Sequence, residues 1–280
     1  MPELPEVETI CLGLKPCIIG QTIQHTQFLR QNLRWPIPVE HLTQETLGQT
    51  IRNVERRGKY LVLACGTGHI LIHLGMSGRL LWHQTPILPK QHDHVIWTFG
   101  NGGQLRLYDP RRFGALLWIF GHWSSHPLLA GLGLEPLDPT FNATYLHQQT
   151  QNRRMAVKNW LMNGKVVVGL GNIYASEALF LAGVHPGQSV RDLSYQCCIR
   201  LVESIQHILE TAIQYGGTTL RDFRHSTGQS GSFINHLQVY GRTGQPCHIC
   251  TTPIQLLALG QRSSFFCPHC QPLSASTSSV

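Results

Sequence analysis

Four of the nine cysteines fall into two close pairs, Cys247-x2-Cys250 and Cys267-x2-Cys270, separated by sixteen residues. No other feature of the chain restricts its fold as much. Two intervening residues let both sulfurs of a pair reach one tetrahedral ion. Four thiolates complete its shell, which makes a structural zinc site rather than a catalytic one. Two disulfides are the alternative, and a reducing cytoplasm disfavours them. The spacer, residues 251–266, holds Leu256-Leu257-Ala258-Leu259 followed by Gly260 and Arg262, and reads as a two-stranded hairpin turning near residues 259–262. A hairpin of that size is marginal alone, so the metal is what would hold it. Arg262 is then placed at or near an exposed tip, either as a phosphate contact or as an ordinary solvated arginine.

The remaining cysteines, Cys11, Cys17, Cys65, Cys197 and Cys198, sit in apolar surroundings and read as small buried hydrophobes. With 280 residues, 42% of them apolar, the chain has material for two compact domains. A formal net charge of +7 favours a polyanionic partner, nucleic acid first. No apolar run approaches the roughly 18–20 residues that cross a bilayer. The N-terminus carries Glu3, Glu6 and Glu8 where a secretory signal would be basic and then apolar, so a cytoplasmic protein is expected.

Pro2 and Pro5 fit a first helical turn, and Val7, Ile10, Cys11 and Leu14 follow at helical spacing, with Gly13 and Pro16 predicting the end. From about residue 20 to 120 the pattern becomes β. Strands are predicted at 60–64, 69–74, 79–83, 95–99, 104–108 and 115–120, with Gly100-Asn101-Gly102-Gly103 as a hairpin turn. Many short strands imply an antiparallel sandwich or barrel. Residues 126–139, rich in Pro and Gly, read as a linker. Helical periodicity follows at 144–149, 155–161, 173–181 and 194–214. The expected class is thus α+β: a β-sandwich with a leading helix (1–125), the linker, a helical domain (140–235), the zinc hairpin (236–272) and a disordered tail (273–280).

Met1-Pro2-Glu3-Leu4-Pro5-Glu6-Val7-Glu8-Thr9 resembles the start of formamidopyrimidine-DNA glycosylases, the bacterial 8-oxoguanine DNA glycosylases. The likeness continues through Arg57-Gly58-Lys59-Tyr60-Leu61, His73-Leu74-Gly75-Met76-Ser77-Gly78 and Asp109-Pro110-Arg111-Arg112-Phe113-Gly114. It then takes in Val168-Gly169-Leu170-Gly171-Asn172-Ile173-Tyr174-Ala175-Ser176-Glu177 and Gln238-Val239-Tyr240-Gly241-Arg242, and ends in the cysteine quartet. Each motif alone is weak; in this order, over nearly the whole chain, they are specific.

The resemblance implies a monomeric base-excision enzyme, acting on duplex DNA with oxidised purines and carrying one structural zinc. Removal of Met1 would leave Pro2 as an N-terminal secondary amine. An α-amino group titrates near 8, against about 10.4 for lysine. A useful neutral fraction therefore attacks the sugar C1′, and the resulting iminium is a permanent cation that draws electrons for elimination. Standing alone, Pro2 is an ordinary helix-start proline. Glu3 is the general acid/base at the sugar oxygen; Glu6 supports it, with a less defined role. Both also fit as acidic charge at a helix N-terminus. Glu177 is a third acidic candidate.

By the same resemblance Met76, Arg111 and Phe113 fill the gap left by the extruded base, Arg111 facing the orphaned cytosine. The stretch 168–186 is similar to the family's helix–two-turns–helix element, where a helix N-terminus and Asn172 meet phosphate. Lys59, Arg262 and Asn172 would pinch the phosphates around the lesion, with His92, Lys158 and Tyr240 as further backbone contacts. The polar segment 218–233 resembles the lesion-capping loop, with Arg221 as a contact. Two other readings stand beside this one. The sister family, endonuclease VIII, acts on oxidised pyrimidines; Leu4 and the long polar loop argue against it. A non-catalytic zinc-hairpin protein that binds distorted DNA would not need Pro2, Glu3 and Lys59.

Overall fold

The computed structural model describes residues 1–151, 153–218 and 231–273. Its first helix, α1 (Leu4–Ile18), begins as the prolines dictate but does not stop at Gly13 or Pro16. An interior proline removes one helical hydrogen bond and costs about 3 kcal/mol. The carbonyl that loses its partner is that of Leu12, a half-exposed residue that water can reach. Leu14 and Ile18 are fully buried, and each such side chain contributes about 1.5–3 kcal/mol. Their burial outweighs the break.

The β region forms two four-stranded antiparallel sheets. One has the order β1 (Ile23–Phe28), β6 (Asp93–Phe99), β7 (Gln104–Tyr108), β5 (Arg79–His83); the other runs β2 (Ile51–Arg57), β3 (Tyr60–Cys65), β4 (Gly68–His73), β8 (Ala115–Phe120). A single apolar cluster draws on both sheets and on α1, with Leu61, Leu63, Ile70 and Ile72 from one sheet and Val95, Trp97, Leu105 and Leu107 from the other. It is a sandwich, the first of the two architectures that the run of short strands allows. Asn101 and Gly102 turn β6 into β7, Gly102 at φ +82°.

Four elements lie where none is predicted: strands β1 and β2 and the short helices α2 (Val39–Thr46) and α3 (Pro127–Ala130), the last within the expected linker. Both strands are sheet edges, half exposed and studded with polar residues, which blunts the alternation used to find strands and protects open edges from stray pairing.

The chain divides into two compact units, 1–131 with 213–234, and 132–212 with 235–280. The second unit holds α4 (Ala143–Gln148), α5 (Val157–Leu161), α6 (Asn172–Leu181), most of α7 (Tyr195–Gln214) and the hairpin β9 (Gln255–Leu259)–β10 (Arg262–Phe266). Gly260 and Gln261, both at positive φ, make the two-residue turn, the primed geometry that matches the strand twist. Among the described residues no helix is long and apolar enough to cross a membrane.

Candidate active site and metal centre

In the first unit the start of α1 is a reciprocal cap. The Glu3 carboxylate accepts the Glu6 amide, and the Glu3 amide donates to Glu6 Oε2 at 2.8 Å. Glu6 Oε1 also accepts the Thr218 amide at 2.7 Å. Pro2, Glu3 and Glu6 are all buried, so the chain around the amine end is fixed by two carboxylates. A side chain at residue 217 would strike Glu6 Oε1 at 2.7 Å, and that residue is Gly217, at φ +81°.

Lys59 sits at the β2–β3 turn, after Gly58 at φ +56°. Arg56 ties this hairpin to α1: its Nε donates to Glu8 Oε2 at 2.5 Å and its Nη1 to the Gly58 carbonyl at 3.2 Å. Partial burial of the pair makes it worth more than a surface ion pair.

A cavity of about 340 Å³ is lined by Met1, Arg34, His73, Gly75, Met76 and Phe113. Two of the three predicted gap-filling residues therefore share one cavity with the residue preceding Pro2. Met76 and Phe113 are 41% and 46% exposed, large apolar side chains left outside the core. Arg111 lies over the Phe113 ring, its Cζ 4.9 Å from the centroid, a cation–π contact. His92 holds a left-handed φ of +74° and sets its ring edge-on to Tyr108 at 5.9 Å.

Arg34 and His73 are cavity residues that the sequence reading did not single out. The signal for His73 was its place in the quoted HLGMSG motif; Arg34 lies in no motif. His73 Nδ1 accepts the Gly75 amide at 3.0 Å, and its ring packs on Tyr60 at 4.8 Å. Burial, with Lys59 and Arg34 adding positive charge, lowers its pKa to about 4. The imidazole is neutral at pH 7, so its other nitrogen carries the proton and can donate. An unfolded histidine gains a proton below about 6.5, whereas the folded one does not until about 4. Folding stability should therefore be fully present above pH 6.5 and fall as pH drops towards 4. The loss is about 3 kcal/mol at most. Urea unfolding across that range, compared with His73→Gln, reads this difference directly.

The second unit carries the other candidates. Arg262 is exposed at the hairpin turn. The strand beside it is clamped: Lys158 Nζ donates to the Ser263 carbonyl at 2.6 Å and to Ser264 Oγ at 3.0 Å, and Asn172 Nδ2 donates to the same carbonyl at 3.0 Å. Lys158 is wholly buried, so here its ammonium serves the hairpin rather than facing solvent. Asn172 opens α6 after Gly169 at φ +85°. Tyr240 meets Phe265 edge-on at 4.9 Å. Arg221 lies outside the described residues.

Glu177 proves to be an anchor. Fully buried in α6, it accepts the amides of Gln238, Val239 and Tyr240 at 2.7, 3.0 and 2.8 Å. Burial lifts its carboxyl pKa and the three donated amides pull it back. Glu177→Ala would leave three amides without their acceptor, the buried one of Val239 at about 1–3 kcal/mol and the part-buried ones of Gln238 and Tyr240 at less. We expect a Tm loss of several degrees, read by calorimetry.

The four quartet sulfurs lie within 4.8 Å of one another, with separations of 3.9 Å for Cys247–Cys270, 3.4 Å for Cys250–Cys267 and 3.5 Å for Cys250–Cys270. A tetrahedron with 2.3 Å zinc–sulfur bonds places its sulfurs about 3.8 Å apart; a disulfide would need about 2.05 Å. The donor set fits zinc, and the amides of Ile249 and Cys270 donate to Cys247 and Cys267 Sγ, each at 3.4 Å, which suits thiolates. Phe180, Val239 and Ile254 pack around it. Cys247, Cys250, Cys267 and Cys270 hold one structural zinc.

Three family models match in chain order: the formamidopyrimidine-DNA glycosylase N-terminal domain over residues 1–116, its H2TH domain over 132–224, and a zinc finger found in FPG and IleRS over 244–273. A formamidopyrimidine-DNA glycosylase of Magnetococcus marinus is 49% identical over 97% of this chain and 99% of its own. One from Thioalkalivibrio sulfidiphilus is 50% identical over 97% and 100%. A solved complex of wild-type Lactococcus lactis Fpg (MutM) with DNA containing N7-benzyl-Fapy-dG superposes with a TM-score of 0.88 at 34% identity, covering 97% of this chain and all of that one. By sequence, by fold and by the order of its parts, this chain belongs to the formamidopyrimidine-DNA glycosylase family.

Proposed function

We propose that the chain is a bifunctional DNA glycosylase and abasic-site lyase that removes 8-oxoguanine and formamidopyrimidines from duplex DNA, with Pro2 as nucleophile. The observation that carries this reading is the buried start of α1. There Pro2 adjoins two carboxylates locked by reciprocal hydrogen bonds, and Met1 lines the cavity that Met76 and Phe113 share. Family membership supplies the reaction class.

With Met1 removed, the Pro2 nitrogen donates its lone pair to C1′ and the C1′–base bond breaks, the base leaving with a proton. Glu3 delivers a proton to the ring oxygen, the sugar opens, and the nitrogen becomes an iminium. That cation accepts the electrons released when a C2′ proton leaves, so the 3′ phosphate departs; a second elimination expels the 5′ phosphate. Glu6 holds the Glu3 amide and thereby the geometry of the amine. Lys59, Arg262 and Asn172 hold the phosphates around the lesion. His92, Tyr240 and Arg221 belong to the same DNA-facing set, whereas the buried Lys158 serves it only by clamping the hairpin that carries Arg262. Met76, Arg111 and Phe113 occupy the space of the extruded base, which costs a few kcal/mol to unstack. The enzyme works as a monomer in the bacterial cytoplasm, on nucleoid DNA.

The test is excision from duplexes bearing 8-oxoguanine, a formamidopyrimidine or an oxidised pyrimidine, each opposite its normal partner. Faster release of the purine lesions is expected. Preference for the pyrimidine would favour the sister activity, and binding without release would leave a damage-recognition protein.

A further inference from the structure

Met76 and the Arg111–Phe113 pair stand on two different turns, so something must hold the turns in register. Residue 109 lies at the junction. Asp109 is completely buried. Its Oδ1 accepts the Ser77 hydroxyl at 2.7 Å, and its Oδ2 accepts the Gly114 amide at 2.8 Å. Ser77 Oγ, having given its proton to Asp109, accepts the Arg111 amide at 3.2 Å. The hydroxyl has one proton, so the chain of bonds runs in one direction only: Arg111 amide to Ser77, Ser77 to Asp109. The backbone of Asp109 is held as well, its amide on the His92 carbonyl at 3.1 Å and its carbonyl receiving His94 Nε2 at 2.7 Å and the Arg112 amide at 3.2 Å.

The packing of the two turns is equally tight. Gly75, at φ +60°, would bring a Cβ within 2.3 Å of the Phe113 carbonyl carbon, so the turns touch backbone to backbone. Gly114 leaves room for only 3.0 Å between a Cβ and Asp109 Oδ2. Charged hydrogen bonds are about twice as strong as neutral ones, and inside the protein they are not screened by water. A carboxylate is an acceptor on both oxygens, which is what two converging donors require.

We propose that Asp109 and Ser77 are positioning residues that fix the gap-filling turn of Met76 against that of Arg111 and Phe113, and so set the enzyme's preference for the base opposite the lesion. This rests on the reading of Arg111 as the residue facing that base. A guanidinium can donate to both N3 and O2 of cytosine, whereas adenine offers the single acceptor N1 beside a C2–H. Discrimination therefore depends on where the guanidinium is held and not merely on its presence.

The experiment compares wild type with Ser77→Ala and Asp109→Asn in single-turnover excision of 8-oxoguanine opposite cytosine and opposite adenine. Cleavage of a single-stranded abasic oligonucleotide, which has no opposite base and no gap to fill, serves as the second readout. Ser77→Ala removes both bonds of the hydroxyl with little change in volume, and a thermal melt confirms folding. The cytosine-over-adenine ratio should fall about tenfold in Ser77→Ala, the size of one lost base-specific contact, while single-strand cleavage stays within about twofold. An unchanged ratio in both folded variants would overturn the proposal. So would a loss shared equally by all three substrates, because the pair would then only support the fold. A wild-type protein that releases no 8-oxoguanine would sink the functional reading itself, a separate outcome visible before any variant is made.

Discussion

Protein that keeps Met1 should show no measurable excision or strand cleavage on an 8-oxoguanine duplex, and Pro2→Gly should lose at least about 1000-fold in single-turnover rate. With Met1 in place the proline nitrogen is an amide, whose lone pair is delocalised into the carbonyl and cannot attack C1′. In Pro2→Gly the amine survives but is primary, without the ring that fixes its direction beside Glu3. DNA affinity should change little in either case, because the phosphate contacts assigned to Lys59, Asn172 and Arg262 are untouched. Equal loss of binding and rate would place Pro2 in the fold and not in the chemistry.

Removing the metal should have the second-largest effect. Chelation, or Cys267→Ser at a fully buried ligand, is expected to unfold the hairpin and weaken duplex binding by about 100-fold or more. The free energy of zinc binding is largely the free energy of folding such a short hairpin. Arg262 is held in position by the turn at Gly260 and Gln261, by its pairing with Leu259 and by the Lys158 and Asn172 clamp on Ser263. Metal analysis should return one zinc per chain. The sandwich of the first unit, with its own core, should keep its β-sheet circular dichroism. Zinc loss without loss of affinity would mean that the hairpin stands without its metal.

These two effects draw on features that differ in how visible they are in the sequence. The β9–β10 hairpin could be placed to within a residue, because paired cysteines, a leucine run and a glycine at the turn all specify the same local geometry. Strands β5 and β8, although sheet edges, were as clear as the central β7, because each is a short apolar run bounded by turn residues. Pro16 misled for the opposite reason: a local rule against proline was outweighed by the burial of Leu14 and Ile18, which is tertiary and invisible in the sequence. Strands β1 and β2 hid behind their own sequences, IQHTQF and IRNVERR, in which polar residues outnumber apolar ones.

Among the site candidates the motifs named the residues but not their partners. That Lys158 would be buried against Ser263 and Ser264, or that Glu177 would collect three amides from residues 238–240, depends on contacts between segments roughly 60 to 105 residues apart. No spacing rule reaches that far. Arg34 lies in no motif at all and joins the cavity only through the fold.

The central claim is that the amine of Pro2 becomes covalently bound to the sugar. The most direct measurement is to add borohydride to the processed, zinc-loaded protein during reaction with an 8-oxoguanine:cytosine duplex, and to map the trapped adduct by peptide mass spectrometry. A reduced adduct on Pro2, absent when Met1 is retained, is the predicted result. An adduct on a lysine, or rapid base release with none trapped at all, would contradict it.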